Sequence, residues 1–218
     1  MLPEHHSDKQ ELLPPQALRD MVAQDMAALA RKRRNLGAVS SIVALAIVAG
    51  LAQGFGLSPT IPPRTWITSA VLLVVGLTLF GLAFGLVLPA GRRLKPLLLF
   101  AALGGVIILL TLSDFQSHVG LGDQFWAMGF SCLKGGALTS TAILATTLVA
   151  GRKVLRRHAP TGLLLGLGAG FLGLVPVSTH CIAESAGHVM VWHTLIPIVA
   201  CGLAGALWGF LRPEPEID

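Results

Sequence analysis

The sequence has few charged residues. Only 12% of its 218 residues are Asp, Glu, Lys or Arg, whereas 53% are apolar. A soluble globular domain carries about 25% charged residues, so the composition argues against a soluble domain and indicates a protein of the lipid bilayer. The net charge of +5 does not indicate direct nucleic-acid binding. The basic residues lie between apolar segments rather than along one face.

Cysteine is also scarce, and the first residues lack the pattern of a signal peptide. Three cysteines are too few for a disulfide framework, and an odd number leaves at least one thiol unpaired. Residues 1–8 are polar, and no apolar h-region begins before about residue 38. We therefore expect the protein to be held in the membrane by its own helices.

Several apolar segments are long enough to cross a bilayer, whose hydrocarbon core of about 30 Å needs about 20 helical residues. The predicted fold is all-α: a polytopic bundle of six transmembrane helices that follows a short cytoplasmic amphipathic helix. The predicted domains are a cytoplasmic segment 1–36, a membrane domain 37–212 and a cytoplasmic tail 213–218. The predicted spans are 37–57, 65–89, 95–113, 127–150, 161–179 and 190–211.

Basic residues are concentrated in alternate connections between these spans. By the positive-inside rule, this bias places both termini in the cytoplasm. The other connections contain one basic residue, Arg64. The cytoplasmic set is Arg31, Lys32, Arg33, Arg34, Arg92, Arg93, Lys95, Arg152, Lys153, Arg156, Arg157 and Arg212.

The stretch before the first span has the spacing of an amphipathic helix of roughly four turns. Its apolar residues recur mostly at intervals of three and four, which is the helical period. The apolar face suits either the lipid interface or a cytoplasmic partner, and the spacing does not choose between them. The residues of this face are Leu18, Met21, Val22, Met26 and Leu29.

Residues with metal-ligand chemistry gather before the last span. If residues 180–193 are partly helical, Cys181, Glu184 and His188 lie at i, i+3 and i+7 on one face. His193 reaches that site only if the helix breaks at Gly187 or the chain turns there. Thiolate, imidazole and carboxylate are ligands of zinc and similar ions. The candidates also include His180 and Cys132, which the topology places at a similar depth.

Three interpretations of these residues stay open. They form a site for a divalent metal ion such as zinc, or Cys132 and Cys181 form a disulfide in an oxidising exterior, or they are polar residues at helix ends. The sequence has no HExxH, paired CxxC or CxxCH motif, no acid pair and no Ser/His/Asp set. We therefore do not expect an enzyme.

Two other features concern packing within the bilayer. Lys134 lies about two turns inside a predicted span, which is costly unless the side chain snorkels or pairs with Asp123 or Glu184. Glycines four residues apart allow close helix approach, within the chain or in a homodimer. These pairs are Gly81 and Gly85, Gly166 and Gly170, and Gly205 and Gly209.

Two short stretches decide which protein family this sequence resembles. One is Ser131-Cys132-Leu133; the other is His180-Cys181, followed by Glu184, His188 and Trp192-His193 before a glycine-rich span. This pattern resembles the negative-regulator-of-sigma-F family. The resemblance implies a six-span anti-sigma factor of the bacterial inner membrane, whose cytoplasmic N-terminal segment holds an extracytoplasmic-function sigma factor.

The resemblance also implies roles for particular residues. Cys132 and Cys181 would be the two periplasm-side cysteines that sense metal or oxidative stress, after which the sigma factor is released. The helix from Leu18 to Leu29 would be the sigma-binding part.

The main alternative is a small multi-pass transporter or a metal-handling membrane protein. Helices interrupted by glycine and proline favour it. The scarcity of ionisable residues in the middle of the predicted spans argues against it. A haem protein that uses His188 and His193 ranks lower, because no haem-attachment motif is present.

Overall fold

The computed structural model describes residues 15–56, 63–85, 123–151, 159–181 and 186–210. Within these ranges the chain is helical and forms no strand, which confirms the all-α prediction. The helices are α1 (Pro15–Phe55), α2 (Pro63–Phe84), α3 (Asp123–Gly151), α4 (Ala159–His180), the single turn α5 (Ala186–His188), a π-helical turn (Val189–His193) and α6 (Thr194–Phe210).

Four described helices are long and apolar enough to cross a membrane. Their candidate spans are Gln16–Phe55, Thr65–Phe84, Phe125–Gly151 and Thr161–His180. Val191–Leu207 is a shorter apolar helix. The predicted span at 95–113 lies outside the described residues, so the number six stays a prediction. Helices suit this environment because their backbone polar groups are satisfied without water.

The N-terminal amphipathic segment and the first predicted span form one continuous helix. α1 extends over 41 residues without a break at the expected boundary between residues 36 and 37. Residues 16–32 are exposed, whereas Ser40, Ala44 and Val48 are buried at four-residue spacing. One face of the later part of α1 therefore packs into the bundle, while the earlier part extends away from it.

α4 is the central helix of the bundle. It packs against α1, α2, α3 and α6. A Cβ added at Gly166 would meet the backbone of Cys201, and one added at Gly170 would meet Pro197. This glycine pair therefore lets α4 approach α6 within the same chain.

α2 ends earlier than the predicted span 65–89. Gly85 has a φ of 70°, and its N–H donates a hydrogen bond to the Leu82 carbonyl at 3.0 Å. A glycine with positive φ is a common helix terminator. The predicted helix is therefore wrong at its end, and residues 86–89 lie outside the described residues.

Candidate functional site

Two cysteines and two histidines from different segments meet at one end of the bundle. Cys132 lies in α3, Cys181 follows α4, His188 ends α5 and His193 ends the π turn. One ligand atom from each of the four residues lies within 4.8 Å of the others. We call this group the Cys/His cluster. The fold thus brings together side chains that are up to 61 positions apart in the sequence, from Cys132 to His193.

The four side chains are in close contact. The Cys132 thiol donates a hydrogen bond to Cys181 Sγ at 3.3 Å, and Cys181 Sγ lies 3.4 Å from His188 Nε2. The rings of His188 and His193 are nearly perpendicular, at 81°, with centroids 5.4 Å apart. The hydrogen bond from Cys132 lowers the pKa of the Cys181 thiol, and contacts with both histidines add to this effect against the opposing effect of burial.

A π turn places His193 beside His188. Residues five apart lie on different faces of an α-helix, but the i→i+5 bonds of a π turn bring them onto one face. The N–H of Thr194 donates to the carbonyl of Val189, five residues earlier. The expectation that the helix breaks or the chain turns at Gly187 is therefore wrong: Gly187 lies within α5, and the π turn that follows it brings His193 to His188.

Pro197 gives a physical reason for the π turn. A proline inside a helix has no N–H for the carbonyl four residues earlier, and its ring crowds that carbonyl. For Pro197, which lies inside α6, that carbonyl belongs to His193. The regular hydrogen-bond ladder is thus interrupted where the π turn ends, and a wider turn relieves the crowding.

Aromatic side chains cover one side of the cluster. Trp192 is buried and packs against Phe130, with ring centroids 4.9 Å apart. Phe125 packs edge-on against His188 at 6.1 Å and also contacts Trp192 at 6.0 Å. A Cβ at Gly129 would overlap the indole of Trp192. Because glycine has no side chain, Gly129 leaves space for the indole ring of Trp192, the residue before His193.

His180 and Glu184 are not among the four residues of the cluster. His180 is exposed, and its Nδ1 donates to the Gly56 carbonyl at 3.2 Å. Its ring also lies beside that of Phe55, with centroids 6.3 Å apart. Glu184 lies outside the described residues. His180 thus connects the end of α4 to the end of α1.

Residues 180–193 are partly helical in their described part, as supposed, but Cys181 itself is not in a helix. α4 ends at His180, and the Cys181 N–H donates to the Val177 carbonyl at 2.8 Å. Cys181 therefore lies at the end of α4, whereas His188 lies in α5.

A pocket of about 220 Å³ reaches Cys132 from the side of α1. Lys134 is exposed and lines this pocket. The side chain of its predicted partner Asp123 lies outside the described residues, as does Glu184. Of the four cluster residues, Cys132 lines this pocket. Its lining residues are Phe55, Ser131, Cys132, Lys134, Gly135, Leu138, Pro176, Val177 and His180.

The predicted partner-binding residues lie far from the cluster, on the exposed part of α1. Their exposed fractions range from 42% at Leu29 to 54% at Met26. These side chains are therefore accessible to lipid or to another molecule. The complete set is Leu18, Met21, Val22, Met26 and Leu29.

The family described as negative regulator of sigma F (NrsF) matches residues 17–212. The chain belongs to this family. No curated protein matches the chain, and no solved structure does. The NrsF match confirms the family resemblance and extends it from the region around the cluster to nearly the whole chain, including the exposed part of α1.

Membership in the NrsF family assigns the chain to negative regulation of a sigma factor. This is a regulatory role rather than an enzymatic one. The sequence pattern indicated the four cluster residues but not the features that position them, namely the π turn, Gly129 and the aromatic side chains around Trp192. The five-residue spacing of His188 and His193, with Pro197 four residues later, was the signal that could have indicated the π turn.

Proposed function

We propose that the protein is a membrane anti-sigma factor. It holds an extracytoplasmic-function sigma factor on the exposed apolar face of α1, and it releases this partner when the Cys/His cluster binds a metal ion or is oxidised. The observation that carries the proposal is the continuity of α1. A single helix includes the exposed apolar face and ends beside the cluster.

The exposed face of α1 has the form of a helix that binds in a groove. Leu18, Met21 and Met26 are each about half exposed, and their spacing places them along one side of the helix. Such a face binds by inserting a few apolar side chains into the partner. Because these side chains do not pack into the bundle, binding of a sigma factor need not disturb the membrane domain.

The contact at the other end of α1 offers a route for the signal. His180 directly precedes Cys181 and donates a hydrogen bond to Gly56, which follows α1. Leu29 and Phe55 are separated by about 39 Å along the helix axis at 1.5 Å per residue. A stiff helix transmits a shift over this distance. The signal must favour one packing of the helices over another, since equal binding to both shifts nothing.

The proposed location is the bacterial inner membrane, with both termini in the cytoplasm. The support is the charge bias of the connections and the requirement that a sigma factor be bound in the cytoplasm. In this orientation the exposed part of α1 faces the cytoplasm and the Cys/His cluster lies near the periplasmic surface. Reporter fusions at each terminus test this orientation.

The experiment that tests the function is co-purification of the full-length protein with its sigma factor. The tagged protein is expressed in the bacterium that carries its gene, solubilised in mild detergent and purified. Bound proteins are then identified by mass spectrometry. We expect a sigma factor to co-purify with the wild-type chain. Changing Leu18, Met21 and Met26 together to serine should reduce its recovery at least about 100-fold, because central apolar contacts dominate such interfaces.

A matched control changes exposed polar positions on the same helix. Gln24→Ser and Asp25→Ser alter α1 without removing its apolar face, and both positions are exposed. Recovery should then stay near the wild-type level. If no sigma factor is recovered with the wild-type chain, or if the serine variant recovers as much as wild type, the proposal is wrong. Uptake of a labelled metal ion into vesicles then tests the transporter alternative.

A further inference from the structure

We infer that Cys132, Cys181, His188 and His193 form a four-ligand tetrahedral site for one thiophilic divalent cation of the zinc class. This inference rests on the proposed function and deepens it, because it names what the Cys/His cluster binds. It also assigns two histidines, brought together by the π turn, as ligands beside the cysteines.

The distances in the cluster are close to those of a metal site. Zinc binds nitrogen at about 2.0 Å and sulfur at about 2.3 Å, which places neighbouring ligand atoms about 3.3–3.8 Å apart in a tetrahedron. The Cys132 and Cys181 sulfurs are 3.3 Å apart, Cys181 Sγ is 3.4 Å from His188 Nε2, and the whole set lies within 4.8 Å. Small side-chain movements therefore suffice to close the four ligands around an ion.

The charges of these ligands suit a divalent ion in a buried position. Metal binding requires deprotonated thiols and neutral imidazoles. Two thiolates and two neutral imidazoles cancel the charge of one divalent cation, so the occupied site is neutral. A neutral site matters because an uncompensated charge near the hydrocarbon is costly. Sulfur and imidazole ligands select zinc-like ions over magnesium and calcium, which prefer oxygen.

The burial of His193 is a second, independent observation. Only 6% of this residue is exposed, and its Nε2 has no hydrogen-bond partner within the described residues. Burying an imidazole nitrogen without a hydrogen-bond partner carries a free-energy cost. Because Trp192 and the π turn hold the ring beside His188, the fold maintains this costly arrangement. Metal coordination at the ring gives a reason for it.

The π turn itself supports the assignment. Such turns are rare, and they occur frequently at functional sites. This one lies between the two histidines and places them on one face. Phe125 packs edge-on against the His188 ring. The π turn and the packing of Phe125 thus both act on the positions of the two histidines.

The test is metal titration of the full-length protein in detergent, with reduced thiols. Zinc affinity is measured by competition with a chromophoric chelator, and cobalt(II) serves as a spectroscopic probe. We expect one ion per chain and the intense visible absorption of tetrahedral cobalt with thiolate ligands. The variants C132S, C181S, H188Q and H193Q should each lower zinc affinity at least about 100-fold, since even outer contacts change it by 10–100-fold.

Two control variants make the same types of change, histidine to glutamine and cysteine to serine, at residues outside the cluster. H180Q changes the neighbouring histidine, and C201S changes a cysteine of α6 that contacts Leu163 instead. Both should bind zinc like the wild type. The inference is overturned if reduced wild-type protein binds no zinc, or if H188Q and H193Q bind it unchanged. The wild-type cobalt spectrum decides the geometry even if a variant fails to fold.

The outcomes separate this inference from the proposed function. A chain that binds its sigma factor but no zinc retains the anti-sigma function and loses the metal site. Its thiols would then be titrated before and after mild oxidation, since a Cys132–Cys181 disulfide consumes two thiols. A chain that binds zinc but no sigma factor retains the site and loses the function.

Discussion

The two ends of α1 differ in the kind of side chain found there. At residues 16–32 the helix exposes apolar side chains, whereas beside its other end the bundle buries polar ones, with His188 and His193 at 1% and 6% exposure. Exposed apolar surface is stabilised when another molecule buries it. The free-energy cost of burying imidazole and thiol groups is offset by hydrogen bonds or by binding a metal ion. The difference suggests a macromolecular partner at one end and a small ligand at the other.

The largest expected effect concerns the two cysteines of the cluster. If they are not needed for release of the sigma factor, the cluster is not the ligand-binding end of the molecule. Changing Cys132 and Cys181 together to serine removes both sulfur ligands and the only thiols of the cluster. We expect sigma-factor binding to be retained and induction of a sigma-dependent reporter by metal or oxidant to be lost completely. Cys201→Ser is the control, because that thiol lies in α6 outside the cluster. Normal induction in the double variant would contradict the sensing role.

The next largest effect is expected at Gly129. A substitution there disturbs the Cys/His cluster and leaves the exposed part of α1 unchanged. A valine there would overlap the indole of Trp192, and overpacking a core costs about 1–3 kcal/mol. We expect Gly129→Val to lower the unfolding temperature in detergent and to weaken zinc binding by displacing Trp192 and His193. Binding of the sigma factor to the distant end of α1 should persist.

The control for this substitution is Gly202→Val in α6. A Cβ at Gly202 meets nothing within 4 Å, so the same change adds volume without overlap. Its unfolding temperature and zinc affinity should remain close to those of the wild type. If both variants behave alike, the close contact between Gly129 and Trp192 is not what positions the histidine.

The helical fold was easier to predict from the sequence than the geometry of the cluster. Apolar segments of spanning length have few alternatives to a helix in lipid, so most helix positions were predicted within a few residues. The face of α1 followed from helical periodicity. The Cys/His cluster depends instead on how α3 packs beside the end of α4, and such contacts leave little trace in local sequence. The π turn reverses the conclusion that regular α-helical spacing gives for His193.

The smallest effect concerns the connection between the two ends. His180→Ala removes the hydrogen bond to the Gly56 carbonyl and the ring contact with Phe55. Such a partly exposed hydrogen bond contributes about 1 kcal/mol, which corresponds to about a fivefold change in an equilibrium between two helix packings. We therefore expect the inducer concentration for half-maximal release to shift by about fivefold. The number of zinc ions bound, the cobalt spectrum and maximal sigma-factor binding should not change, because His180 is outside both sites.

His180→Gln provides the matched comparison, since its amide retains a donor that can reach the carbonyl. A response closer to wild type with Gln than with Ala assigns the effect to the hydrogen bond. Equal responses in all three proteins would show that the signal reaches α1 by another route. The direct packing of α1 against α3 and α4 is the physical alternative, because it couples the cluster to α1 through apolar contacts that a single hydrogen bond does not control.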